Sequence, residues 1–298
     1  MDDAGPLVSV GLPVRNGAEG LRRVLDGLIA QSYANLEIII SDNASTDGTE
    51  RICREFAARD ARVSYNRQPR LLPVLDNWRS TFDHARGEFF MFAAHDDFRS
   101  LNYVETLVRA LREHPDASLA ASDVVEFVDY DEALQLPHLP HDFETGGLDL
   151  IGRLRKHTKI GCDHVYGLLN AKFVRGYQWY EDVSWDVAFL AYLAVRGPFV
   201  YAPGATFYYR RTPGQTIEAR ARETALGRTH RLQTTRTAWL TARAIGDAHR
   251  LAGEWRPAAL TFPAVLYFSM QGLRGMVASV APSPMRAARR FLARRSRA

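Results

Sequence analysis

LEIIISDNASTDGT, residues 36–49, decides the fold. Leu36 to Ser41 is an apolar run rich in β-branched residues, with the length and composition of a buried strand. It ends at Asp42, and Asn43, Ala44 and Ser45 form a polar turn. Ser45-Thr46-Asp47 then offers the side-chain oxygens that cap a helix, which the pattern carries to about Arg59. A strand that hands over to a helix within a few residues is half of a βαβ unit.

The same alternation extends in both directions. Leu7 to Val14 reads as a strand, and Glu19 to Gln31 as an amphipathic helix with leucines at 21, 25 and 28. Val63 to Asn66 is a third strand, Leu75 to Ala85 a helix, and Glu88 to Ala94 a fourth strand. Asn102 to Glu113 is a helix stopped by Pro115, and Ser118 to Asp129 a fifth strand. These elements predict an α/β fold with a mostly parallel sheet flanked by helices. Residues 130–147 lose all periodicity and read as a long loop. Trp185 to Val195 is a helix, and Phe199 to Tyr209 a strand pair around Pro203-Gly204. The predicted organisation is an α/β domain over 1–215 and a helical extension with a basic tail over 216–298.

Composition narrows the class. With 46% hydrophobic and 24% charged residues, the chain has the balance of a soluble globular protein. The acidic N-terminus is no signal peptide, and two cysteines make no disulfide framework, so a reducing cytoplasm is the expected location. The last fourteen residues hold six arginines and no acid, and removing them takes the formal charge from +4 to −2. A body so close to neutral argues against nucleic acid as a partner. Met285, Ala288 and Leu292 form one stripe of that tail, which is either a solvated basic end or a short amphipathic helix on an anionic membrane.

In doubly wound sheets ligands bind beyond the carboxyl ends of the strands. That rule selects Pro13 to Asn16, Asp42 to Ser45 and His95 to Phe98. Asp96 and Asp97 are adjacent carboxylates that repel each other unless a cation or hydrogen-bond donors intervene. As hard oxygen ligands they suit Mg²⁺ or Mn²⁺ with a diphosphate, although Asp97 could equally cap the next helix. Asp42 could accept a hydrogen bond from a pyrimidine imide, or close an Asx-turn.

In this order and spacing, LPVRNGAEGLRRVLDGLIAQSY, LEIIISDNASTDGT, ARGEFFMFAAHDDF and YGLLNAKFVRG resemble family 2 glycosyltransferases of the GT-A fold, over roughly residues 6–212. The resemblance implies an inverting enzyme that moves one sugar from a UDP- or dTDP-sugar to a carbohydrate or lipid-linked acceptor. It implies a nucleotide-sugar site at Pro13, Val14, Arg15, Asn16, Asp42, Asn43, Asn77 and Asp96, with Asp96 and Asp97 on the metal, Mn²⁺ or Mg²⁺. The family's usual Asp-x-Asp reads Ala94-His95-Asp96 here, so the first carboxylate is missing and His95 is either a phosphate donor or a spacer pointing away. The family places its general base at the start of a late helix, some fifteen residues before a Tyr-x-Pro strand, so with Tyr201-Ala202-Pro203 as that strand the resemblance implies Asp186, and Asp182 of the Glu181-Asp182 pair as the alternative. Arg210 or Arg211 would hold the diphosphate, and Tyr166 or Trp185 could stack on a sugar or belong to the core. A family member that only binds nucleotide sugars, and a sugar nucleotidyltransferase, are the competing functions.

Overall fold

A computed structural model describes residues 5–128, 143–157, 162–179 and 185–211, with positions 243, 245, 247 and 248. The first half builds as its sequence predicts. Strand β1 (Val8–Val14) leads to α1 (Ala18–Ile29), β2 (Leu36–Asp42) to α2 (Thr49–Arg59), and β3 (Val63–Arg67) to α3 (Val74–Asp83). Then come β4 (Phe89–Phe92), β5 (Phe98–Arg99), α4 (Tyr103–Glu113) and β6 (Leu119–Phe127). Helix α5 (Leu150–His157), a 3-10 turn at Cys162–Tyr166, β7 (Leu168–Asn170), α6 (Ala171–Val174), α7 (Trp185–Arg196) and β8 (Phe199–Arg210) complete the described order.

The eight strands form one sheet in the order β3-β2-β1-β4-β7-β6-β8-β5. The β3-β2-β1-β4 half is parallel. The other half is mixed, because β7 runs antiparallel to β4 and β6 and β5 antiparallel to β8, while β6 and β8 are parallel. Four of the seven pairings are parallel, so the α/β sheet flanked by helices stands as expected, with its antiparallel pairings confined to the second half. The strand pair expected around Pro203-Gly204 is corrected. β8 is one strand whose register against β6 jumps, Ala121 facing Tyr201 and Asp123 facing Thr206. Three extra residues of β8 bulge out there, Gly204 supplies φ +90°, and Ser122 Oγ lies 2.6 and 2.5 Å from the carbonyls of Ala202 and Ala205.

Both faces of the sheet are covered, which is why β4 reads as an unbroken apolar run. Phe89 and Met91 pack into one core with α1, α2 and α4. Phe90 and Phe92 point the other way, into a core with α7 and the rings of Trp78 and Phe82 from α3. Helix α3 lies so close to β1 that a Cβ at Gly11 would sit 2.4 Å from Thr81 Oγ1 and 2.6 Å from Phe90 Cζ. That close approach brings Asn77 and Trp78 to the edge of the sheet. Of the expected extension, positions 243, 245, 247 and 248 are helical, and Ile245 and Ala248 are buried in the α7 core. The basic tail lies outside the described residues. Among them no helix is long and apolar enough to cross a membrane.

Candidate active site

The carboxyl ends of β1 and β2 are locked together by their loops. Asn16 N–H donates to Ser45 Oγ at 2.9 Å, Gly17 N–H to Thr49 Oγ1 at 2.9 Å and Ala18 N–H to Asp47 Oδ2 at 3.2 Å. In return Asn16 Oδ1 accepts from Thr46 N–H at 2.9 Å. Asp47 also accepts from Thr49 N–H, so one carboxylate serves the first turns of α1 and α2, where helix dipoles favour it. The turn needs left-handed backbone at Asn16 (φ 50°) and Ala44 (φ 54°). Asparagine tolerates that conformation, and alanine does so only at a cost.

Asp42 closes this turn from below. Its side chain is fully buried, Oδ1 accepting from Ser45 N–H at 2.9 Å and Oδ2 from the Tyr65 hydroxyl at 2.8 Å, with Arg67 at 3.8 Å. It is not among the residues lining the adjoining cleft, whereas its neighbour Asn43 is. Successive side chains at the end of a strand take opposite sides, so a shift of one residue exchanges support for ligand contact. Asn43 is positioned by both halves of its carboxamide, which exchange hydrogen bonds with the backbone of Leu72 at 3.0 and 2.8 Å. Asn77 is buried and bonded to Ser41 through Oδ1 at 2.8 Å and Nδ2 at 3.1 Å, and it also reaches the cleft.

The cleft has a volume of about 560 Å³ and lies where the strand-end rule predicts. Pro13, Val14, Arg15 and Asn43 border one end, and His95, Asp96, Asp97 and Arg210 form its charged wall. His95 lines the cleft and so is no spacer turned away from it. Its ring is wedged against the β1–α1 loop, where a Cβ at Gly17 would lie 2.7 Å from His95 Cδ2. Asn16, also expected to contact ligand, spends its side chain on the clasp.

Asp97 is only 2% exposed. Its Oδ1 accepts the Arg210 backbone N–H at 2.8 Å, and its Oδ2 has no hydrogen-bond partner. Burial, then the neighbouring Asp96, pushes its carboxyl from 3.8 up to about 7, against the opposing pull of the Arg210 amide and the Arg99 guanidinium. Arg99 is itself buried, donates to Phe92 O at 2.7 Å and lies 4.9 Å from the centre of the Phe207 ring. Burial lowers its pKa. A buried carboxylate oxygen without a donor, beside a second carboxylate at an open cleft, fits a hard divalent cation. Among the described residues no cluster of three or more potential metal ligands forms, so a cation here would draw its remaining ligands from substrate oxygens and water. Two carboxylates in such a setting can hold a cation against an anionic ligand.

The remaining expectations separate. Arg210 lines the cleft, its guanidinium 3.0 Å from Glu19, while Arg211 is buried in an ion pair with Glu126 and covers the Tyr209 ring at 4.6 Å. Tyr166 borders the cleft, and burial drives its phenol pKa well up. His164 is buried, its ring 4.4 Å from that of Phe143. Trp185 packs edge-on against Trp78, with ring centres 5.2 Å apart, and Trp78 does line the cleft. Asp186 follows Trp185 in the first turn of α7, Oδ1 accepting from Val187 N–H at 2.9 Å. It is not among the residues lining the cleft, and Glu181 and Asp182 lie outside the described residues. Trp78 and Arg99 were missed in the sequence. An aromatic residue on an amphipathic helix and an arginine after two acids carry no signal of their own.

Comparisons with known proteins identify the family and the fold. Residues 9–175, more than half of the chain, match Glycosyl transferase family 2. Among curated relatives are two glycosyltransferases of Streptococcus pneumoniae. GlyA is 34% identical over 40% of this chain and 17% of its own length, and GlyG is 30% identical over 43% and 41%. The matches thus span less than half of either relative. Among solved structures, S. aureus TarS 1–349 superposes with TM-score 0.59 at 14% identity, covering 94% of this chain and 85% of that one. Mannosyltransferase PcManGT from Pyrobaculum calidifontis, solved with GDP-Man and Mn²⁺, gives 0.52 at 15% identity, covering 91% and 81%. At these identities the likeness is one of fold. The segment from β1 through α6 carries the clasped turns, the adjacent carboxylates and the family match together, and the chain belongs to Glycosyl transferase family 2.

Proposed function

We propose that this chain is an inverting glycosyltransferase that moves one sugar from a UDP- or dTDP-sugar to an acceptor hydroxyl. The observation that carries the reading is the Asp96-Asp97 pair, with the unpartnered Asp97 oxygen, on the wall of a cleft bordered by Arg15 and Arg210. TarS has been solved with UDP and with UDP-GlcNAc, and PcManGT with GDP-Man, which supports a nucleotide-sugar donor. Asp96 and Asp97 would hold Mg²⁺ or Mn²⁺, which supplies charge neutralisation for a leaving diphosphate. Arg210 can exchange Glu19 for a phosphate oxygen. Asn43 faces the nucleoside end, and its carboxamide has a free N–H and lone pair that match an imide edge. Asp42 keeps that turn in place as a positioning residue. Asp186 is the proposed base: the α7 N-terminus stabilises a carboxylate there, and Trp185 ties it to the cleft through Trp78.

The test is a thermal-shift panel of UDP, dTDP, GDP, ADP and CMP, with and without Mn²⁺. A ligand at about 100 times its Kd adds roughly 2.7 kcal/mol of stability. A metal-dependent shift with UDP or dTDP, lost in Asp96→Ala, is expected; no shift with any nucleotide would refute the reading. Ala94, standing where the family usually has a carboxylate, favours one competing reading, a protein that binds nucleotide sugars without turnover. Slow hydrolysis of the bound donor excludes it. A lipid-linked acceptor and a peripheral membrane location would follow from the arginine-rich tail. Sedimentation with anionic vesicles, lost when the six arginines become glutamine, would support both.

A further inference from the structure

Three partly buried aromatic side chains line the cleft, Trp78, Tyr166 and Tyr209, and Trp78 is the largest of them. Helix α3 is pinned beside Trp78 by the Asn77–Ser41 hydrogen bonds, and Thr81 Oγ1 donates to the Trp78 carbonyl at 2.7 Å. The indole is braced by Phe92 at 5.0 Å, Trp185 at 5.2 Å and Tyr166 at 5.9 Å between ring centres. It is nevertheless left half-buried, lining the cleft with Asp96 and Asp97. A tryptophan that forgoes part of its burial while being held in one orientation is a preformed apolar face.

Position decides what the face receives. Asn43 marks the nucleoside end, at the tip of β2. The rings that brace Trp78 come from β4, the Cys162–Tyr166 turn and the start of α7, all on the β4–β7 side of β1 in the sheet order. The indole is therefore packed on the β4 side of the cleft, the side that carries the carboxylates, and not against the tip of β2. In a nucleotide sugar the group past the diphosphate is the sugar. Resting on the donor-site reading above, we infer that Trp78 is the platform for the donor's sugar ring and selects a pyranose that presents a face of C–H bonds.

Calorimetric titrations of the full chain with UDP, dTDP and GDP, each against its own hexose conjugate and with Mn²⁺ present, test this in wild type, Trp78→Phe and Trp78→Leu. The expected result is a loss of about tenfold in affinity for the hexose conjugate in Trp78→Leu, with the parent diphosphate unchanged and Trp78→Phe between the two. A hexose-dependent change in tryptophan fluorescence should vanish in Trp78→Phe. That variant keeps an aromatic ring among its braces and carries the test if Trp78→Leu does not fold. Equal losses for diphosphate and conjugate would assign Trp78 to the nucleoside or the fold, and unchanged affinities would leave it no role; either overturns the proposal. Wild type that binds none of the nucleotides would refute the donor-site reading itself, before any variant is compared.

Discussion

Replacing Asp97 by asparagine should stabilise the metal-free protein, and increasingly so as pH rises. The Asp97 carboxyl is buried beside Asp96 and its folded-state pKa is raised from 3.8 to about 7. At about 1.4 kcal/mol per pH unit, the charged form is disfavoured in the fold by about 4 kcal/mol. The sign follows from linkage. The folded state binds the proton more tightly, so its contribution is fully present below 3.8 and is lost as pH climbs through 7. More than half of that loss falls between pH 5 and pH 8, which for a chain of this size separates the melting curves by roughly 5 °C. Asparagine has no charge to lose and can still accept the Arg210 N–H. The assay is differential scanning fluorimetry of wild type and Asp97→Asn at both pH values in EDTA. The Tm advantage of the variant should widen by about 5 °C towards pH 8, and Mn²⁺ with UDP should rescue wild type alone. A gap that stays constant with pH would mean that Asp97 is already compensated in the empty protein, and the case for a cation at its free oxygen would fall.

Three further outcomes are expected. Ala44→Gly should raise stability by about 0.5–1 kcal/mol, read as Tm, because glycine adopts φ 54° without strain; nucleotide affinity should not change. Tyr65→Phe should cost about 2 kcal/mol in urea unfolding, since it strips a donor from the fully buried Asp42 carboxylate; a cost below 0.5 kcal/mol would show that the Ser45 amide and Arg67 suffice. Asp186→Asn should abolish sugar transfer in a product assay while leaving the UDP dissociation constant within about twofold. Retained turnover would move the base to Asp182.

β1, β2 and β4 are legible because each is a largely apolar, fully buried run closed by a polar turn. β5 and β7 are not: two and three residues hold no period, and they exist only because β8, β4 and β6 offer them partners. Pro203-Gly204 looked like a hairpin turn since bulges and turns make the same backbone demands. In the site, the charged pair Asp96-Asp97 stood out after its strand. Asp42 is the acid the sequence singles out for a pyrimidine, whereas its carboxylate is buried in the turn and Asn43 lines the cleft, a difference of one residue that a strand's alternation leaves open. Trp78 was hidden for a related reason. A core tryptophan and a cleft tryptophan occupy the same stripe of an amphipathic helix, and only the packing of α7 against α3 distinguishes them.

The hydrogen bond that orients Asp97 comes from a main-chain amide, which no side-chain replacement at Arg210 removes. A substitution scan would pass over it silently. What sets it is counting: the three surplus residues between Tyr201 and Thr206 determine which amide of β8 arrives opposite Asp97. An insertion or deletion in that exposed bulge, or loss of the Ser122 hydroxyl that clips its base, thus acts on the Asp97 end of the cleft by sliding β8. Length variation at this surface loop is a mutation at Asp97 in disguise.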